Sequence, residues 1–144
     1  MIPLDIRKIV NQLKKKYLTS NPFEIAQCMN ILIIIQPLGR LAGCYMYKRR
    51  NRVIFLNSDI ENEYFMREVM AHELGHAVMH RTQNCYFIQN KTYLLSSKIE
   101  RQANEFAADL LLPDDIFCEY QGCTIEQLSS ITGYSKELIE LKLK

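Results

Sequence analysis

The sequence predicts an α+β domain: helices first, then a small three-stranded, mostly antiparallel sheet, then helices again ending in a C-terminal helix pair. Three observations carry this. Apolar residues recur at helical spacing near the N-terminus, in Ile6, Ile9, Val10, Leu13 and Tyr17, and again beyond residue 60. Between these stretches lie three short runs rich in β-branched and aromatic residues, at 31–35, 43–47 and 53–56. The length of 144 residues suits one domain with a real core and is short for two, so 1–144 is read as a single unit.

Each element has a local cause. Residues 3–19 carry the first amphipathic pattern. Asn21-Pro22-Phe23-Glu24 restarts a helix, with a capping Asn, Pro at the first helical position and Glu three residues after the cap. That helix runs to about Met29. Residues 31–35 are continuous and mostly β-branched, which reads as a buried strand, ended by Pro37. The runs 43–47 and 53–56 pair as a hairpin across the basic turn 48–52. Ser58 or Asp59 caps a helix that carries Phe65, Val69, His72 and His76 on one side and continues to about Arg81. Residues 83–97 show no period and read as a lid, a binding loop or a short strand. Ser97 caps the next helix, which Pro113 stops after Leu112. Two short helices close the chain, one from the capping box Thr124-x-x-Gln127 and one from Ser135.

Composition sets bounds on function. The apolar fraction of 48% and charged fraction of 24% are those of ordinary globular chains. A net charge of +2 argues for neither nucleic acid nor an anionic membrane, and Lys14-Lys15-Lys16 and Arg49-Arg50-Asn51-Arg52 read as solvated surface. The longest apolar run, 31–35, is far below the roughly 18 residues that span a bilayer. No signal peptide is evident. Five cysteines, an odd number without a C-x-x-C, read as reduced thiols and place the chain in the cytoplasm.

The chemistry concentrates in one segment. All three histidines fall within nine residues, in Ala71-His72-Glu73-Leu74-Gly75-His76-Ala77-Val78-Met79-His80. His72-Glu73-x-x-His76 puts two imidazoles one turn apart on one helix face, because a helix advances roughly 1.5 Å and 100° per residue. They converge on one ion, and Glu73 beside them can reach a water on it, as a zinc hydrolase requires. Gly75 between them costs a helix about 1 kcal/mol against Ala. Close approach of the sheet or of another helix explains it.

Two histidines need a third ligand. His80 fails on geometry, lying roughly 12 Å along the helix from His72. It reads instead as a helix-end residue touching carbonyls or solvent. The other candidate lies on the next helix, where Glu100 and Asn104 share a face with Ala103, Ala107 and Ala108. Glu100 is either the third ligand or a surface charge in a first helical turn. Asn104 can hydrogen-bond the outer ring nitrogen of a ligand histidine.

The segments Ala71-His72-Glu73-Leu74-Gly75-His76 and Glu100-x-x-Ala103-Asn104-x-Phe106-Ala107-Ala108-x-Leu110-Leu111-Leu112-Pro113 together resemble the ImmA/IrrE family of zinc metallopeptidases. The lead-in Val53-Ile54-Phe55-Leu56-Asn57 and the helix-turn-helix-like tail from Thr124 to Ser135 are similar to that family as well. The resemblance covers about residues 25–144. It implies a zincin-like helical domain with a gluzincin-like site, and a glutamate ligand at the position of Glu100. It also implies a cytoplasmic bacterial protein, often of a phage or mobile element, that cleaves a helix-turn-helix transcriptional repressor and so induces its target genes.

On this reading zinc sits between His72, His76 and Glu100, and Glu73 takes a proton from water and hands it to the leaving amine. Tyr86, Tyr93 and His80 are the candidate donors to the oxyanion. Two other readings remain. One is a zinc-binding interaction module without turnover. The other is a DNA-binding protein built on the 124–144 helix pair, which Glu126, Glu137 and Glu140 set against Lys136, Lys142 and Lys144 disfavour.

Overall fold

A computed structural model describes residues 3–88 and 97–143. Helix α1 (Ile6–Tyr17) begins at Asp5, whose carboxylate accepts from the Lys8 N–H, and stops at Leu18, which turns into the left-handed region. Helix α2 (Pro22–Cys28) starts at Asn21, which accepts from the Phe23 N–H, with Pro22 where a missing donor costs nothing. Strands β1 (Leu32–Gln36), β2 (Leu41–Lys48) and β3 (Asn51–Asn57) follow, then helix α3 (Glu63–Met79). Strand β4 (Cys85–Ile88) leads toward helix α4 (Lys98–Leu111). Three short helices end the described chain: α5 (Ile116–Glu119), α6 (Ile125–Thr132) and α7 (Lys136–Leu143).

The α+β class stands, but the sheet has four strands rather than three, in the order β1-β3-β2-β4. The added strand is β4, which pairs antiparallel with β2 through Cys44↔Tyr86 and Tyr45↔Cys85. Its partner lies some 40 residues away in sequence, so a four-residue strand leaves no periodic signal. Of the stretch 83–97, read as a lid, a binding loop or a short strand, Cys85–Ile88 is a strand, and residues 89–96 lie outside the described residues. The sheet is mostly antiparallel, since β2 also pairs antiparallel with β3, while β1 runs parallel to β3. The hairpin forms as expected, with Gly43 opposite Leu56, but its turn is only Arg49-Arg50: Tyr47 pairs with Arg52 and Lys48 with Asn51, so the strands extend into the expected turn 48–52.

Three other expectations need correction. Strand β1 is not buried: it is an edge strand with Leu32 and Ile35 both 56% exposed. A continuous β-branched run favours a strand anywhere in a sheet, and only the pairing partners decide whether it is central. Helix α3 starts from Asn62, which accepts from the Tyr64 and Phe65 N–H groups, and not from Ser58 or Asp59. The Asp59 N–H is instead taken by Asn57 in a local turn. Helix α5 was not expected.

The core lies between the sheet and α3, and between α3 and α4. On one face of the sheet Gly43, Tyr45, Ile54, Leu56 and Phe87 line up, by strand alternation and register, beneath the helices. Gly43 sets the closest approach, since a Cβ there would stand 2.6 Å from Val69 Cγ1 of α3. On the other side Gly75 lets α4 in, with a Cβ there only 3.1 Å from Phe106. Of the two expected causes for Gly75, the neighbouring helix is the operative one.

The C-terminal helices are tied to this core. The capping box at Thr124 and Gln127 forms, and Gly133 ends α6 in the left-handed region with the Tyr64 ring against it. Ser135 caps α7, its Oγ accepting from Leu138, while its own N–H and hydroxyl donate to Glu68 of α3. The buried Lys142 donates to Asp109 of α4 at 3.1 Å and to Asp114 at 2.6 Å. None of the described helices is long and apolar enough to cross a membrane.

Candidate metal centre

Every residue of α3 from Glu68 to Ala77 is buried, so His72, Glu73 and His76 sit where an unsatisfied polar group is costly. The sequence puts them there because the flanking Val69, Met70, Ala71, Leu74 and Ala77 fill the core on all sides. Helix α4 crosses close by, and its first turn brings in Glu100. His72 Nε2 lies 2.9 Å from Glu100 Oε2, His76 Nε2 lies 3.2 Å from Oε1, and the two Nε2 atoms are 3.1 Å apart. His72, His76 and Glu100 are the one group of histidine, cysteine or acidic side chains among the described residues that could hold a metal ion.

The donor set itself tests the fit. His72 Nδ1 lies 2.7 Å from Asn104 Oδ1, and a carbonyl oxygen only accepts, so the ring proton is on Nδ1. That leaves a bare lone pair on His72 Nε2, aimed at a carboxylate oxygen that also only accepts. Burial works to raise the Glu100 carboxyl, and only donated protons or positive charge on the imidazole side of it can outweigh that and hold it at about 2. The group is therefore an anion at neutral pH. Positive charge belongs in the space between, as ring protons or as a cation. Burial opposes the first, pushing His76 below the usual imidazole range. A cation satisfies all three groups. Atoms bonded at about 2.0–2.1 Å to one tetrahedral zinc stand roughly 3.3 Å apart, close to the separations here.

Glu73 is fully buried, and neither of its oxygens has a hydrogen-bond partner among the described residues. Burial, with a smaller contribution from the Glu100 charge, pushes its carboxyl well above the usual range. Such a group is costly to folding and suited to taking up and releasing a proton. The Phe87 ring of β4 packs edge-on against His72, with centroids 4.8 Å apart, and closes that side of the cluster with apolar surface.

His80 differs in part from its sequence reading. It is the helix-end residue expected, the C-cap of α3, but it is only 7% exposed and its ring engages side chains rather than backbone carbonyls or solvent. Its Nδ1 lies 3.0 Å from His76 Nδ1 and its Nε2 lies 2.7 Å from Gln102 Oε1. With both nitrogens engaged, the ring is not presented to the cluster as an oxyanion donor. Tyr86 is not brought to the cluster either: Phe87 takes the face toward His72, so Tyr86 projects from the opposite face, 49% exposed. Tyr93 lies outside the described residues. Gln102 and Phe87 went unremarked in the sequence. The spacing of four between His76 and His80 was the available signal.

Residues 26–144 match the family described as the IrrE N-terminal-like domain. The chain is 39% identical over 140 residues to "Uncharacterized immunity region protein 2" of Bacillus phage phi105, covering 95% of this chain and 88% of that one. It is 32% identical over 136 residues to "Metallopeptidase ImmA" of Bacillus subtilis (strain 168), covering 93% of this chain and 75% of that one.

Proposed function

The chain belongs to the ImmA/IrrE family, and on that premise we propose that it is a zinc-dependent endopeptidase. Its substrate is a helix-turn-helix transcriptional repressor of a phage or mobile element, whose cleavage in the cytoplasm induces the repressed genes. One observation carries the catalytic reading: three side chains that can act as ligands converge on one point, beside a buried carboxyl without a partner among the described residues. The names of the relatives, a metallopeptidase and a phage immunity-region protein, support the biological setting.

In this reading His72 Nε2, His76 Nε2 and Glu100 hold the ion, and the Asn104 carbonyl fixes the His72 ring. Zinc supplies Lewis acidity to a water and to the scissile carbonyl. Glu73 takes the proton of the attacking water on one carboxylate oxygen and delivers it to the leaving amide nitrogen. Burial favours the protonated Glu73 after the first transfer, which keeps that proton available for the second. Lys142 of α7, one of three lysines in the tail, is spent on Asp109 and Asp114.

The test is to mix the zinc-loaded protein with any helix-turn-helix repressor found encoded beside it and follow cleavage by mass spectrometry. The parent cuts at one bond. Glu73→Gln retains zinc and loses cleavage, by about 10²–10⁴-fold for removal of a general base. Glu100→Ala loses zinc. Cleavage by Glu73→Gln at the parental rate would overturn the assignment. Bound zinc with a parent as inert as that variant toward every repressor tried would select the interaction module without turnover.

A further inference from the structure

We propose that His80 and Gln102 are a positioning pair that sets the tautomer of His76 and thereby exposes its Nε2 lone pair to the metal. This deepens the zinc reading above and rests on it.

The argument follows the protons. Gln102 Oε1 can only accept, so at 2.7 Å the proton between the two side chains belongs to His80 Nε2. A neutral imidazole with its proton on Nε2 carries a lone pair on Nδ1. That lone pair lies 3.0 Å from His76 Nδ1, which must then be the donor. With its proton on Nδ1, His76 has a bare Nε2, and it is Nε2 that faces Glu100 and His72. Gln102 thus reaches the ion site through two rings.

The two ligand histidines are therefore supported in parallel but differently. Asn104 holds His72 directly, and Gln102 holds His76 through His80. Both supports come from α4, which also supplies Glu100. The interposed ring has a geometric cause. His72, His76 and His80 form a stripe at spacing four along α3, so His80 lies one turn beyond His76 and reaches back to its outer nitrogen. His80 is too far along the helix to share the ion itself, yet it is well placed to orient a residue that does. It touches no reacting atom, so its role is positioning and not catalysis.

The test uses the full chain, with and without zinc, and reads ring nitrogen shifts by NMR together with zinc affinity by chelator competition. The parent shows His80 protonated on Nε2 and His76 on Nδ1. His80→Leu removes the acceptor and weakens zinc about 10–100-fold, the usual effect of losing such a support. His80→Asn restores most of the affinity, because an amide oxygen can stand where His80 Nδ1 stood. Gln102→Met leaves His80 without its anchor and weakens zinc in the same direction, which covers the case in which His80→Leu does not fold. A His80 ring protonated on Nδ1 in the parent, or zinc bound as tightly by folded His80→Leu as by the parent, overturns the proposal. Failure of the parent to bind zinc sinks the metal reading instead, and the ring shifts alone then decide whether Gln102 and His80 set the His76 tautomer.

Discussion

At the scale of single residues, the site shows how far spacing alone can carry an argument. The structure brings His72, His76, Glu100 and Asn104 together through short contacts, a juxtaposition that helical spacing and side-chain type could suggest. His80 was harder to read, since testing it against the same ion stopped one step short of testing it against His76. Glu73 carries the sharpest consequence. Its carboxyl is buried without a partner among the described residues, so it costs stability in the metal-free chain. Glu73→Gln is therefore expected to raise the thermal midpoint of chelator-treated protein at neutral pH while abolishing cleavage. An unchanged or lower midpoint would show that another group satisfies the carboxyl.

At the scale of elements, helices were easier to read than strands. Caps such as Asn21, Ser97 and Thr124 and the capping Ser135 are local signals, whereas β4 exists only through its pairing with β2. The start of α3 was misplaced because Ser58, Asp59 and Asn62 are all good caps and only tertiary context chose among them. Two substitutions test the packing. In Gly75→Ala the added methyl stands 3.1 Å from the fully buried Phe106, which must shift by a few tenths of an ångström inside the core. The overpacking cost of about 1–3 kcal/mol outweighs the roughly 1 kcal/mol of helix propensity that Ala contributes. A lower thermal midpoint and weaker zinc binding should follow, as α4 moves off with Glu100. The hairpin offers the opposite case. Arg49 and Arg50 both adopt positive φ, +51° and +67°, in the two-residue turn between β2 and β3. Non-glycine residues there cost about 1–2 kcal/mol each, and Asn-Gly is the favoured pair for this geometry. Replacing Arg49-Arg50 by Asn-Gly should raise the melting midpoint by several degrees and leave zinc affinity unchanged.

At the scale of the whole molecule, the class of the fold was readable from the succession of patterns, and the sheet order was not. Strand order depends on contacts between distant segments, which periodicity does not report. The cysteines give a global test of the packing. All five are unpaired; Cys44 and Cys85 are buried, Cys28 and Cys118 exposed. Burial, with help from nearby carboxylates, pushes Cys44 up to about 11 and Cys85 to about 12. At pH 8 iodoacetamide should alkylate Cys28 and Cys118 promptly and spare Cys44 and Cys85 until the chain unfolds, as read by peptide mass mapping. The same two thiols keep their protons in the fold after the unfolded chain, at about 8.5, begins to lose them. Stability should therefore fall as pH climbs from about 8.5 toward 11. Finally, the cluster straddles a seam between two helices, with the imidazoles on α3 and every oxygen that answers them on α4. Any slide or roll of one helix against the other misaligns all of those contacts together. Since α7 is moored to both, through Glu68 on α3 and Asp109 on α4, a protein that tugs on the tail would be felt as a change in grip on the ion.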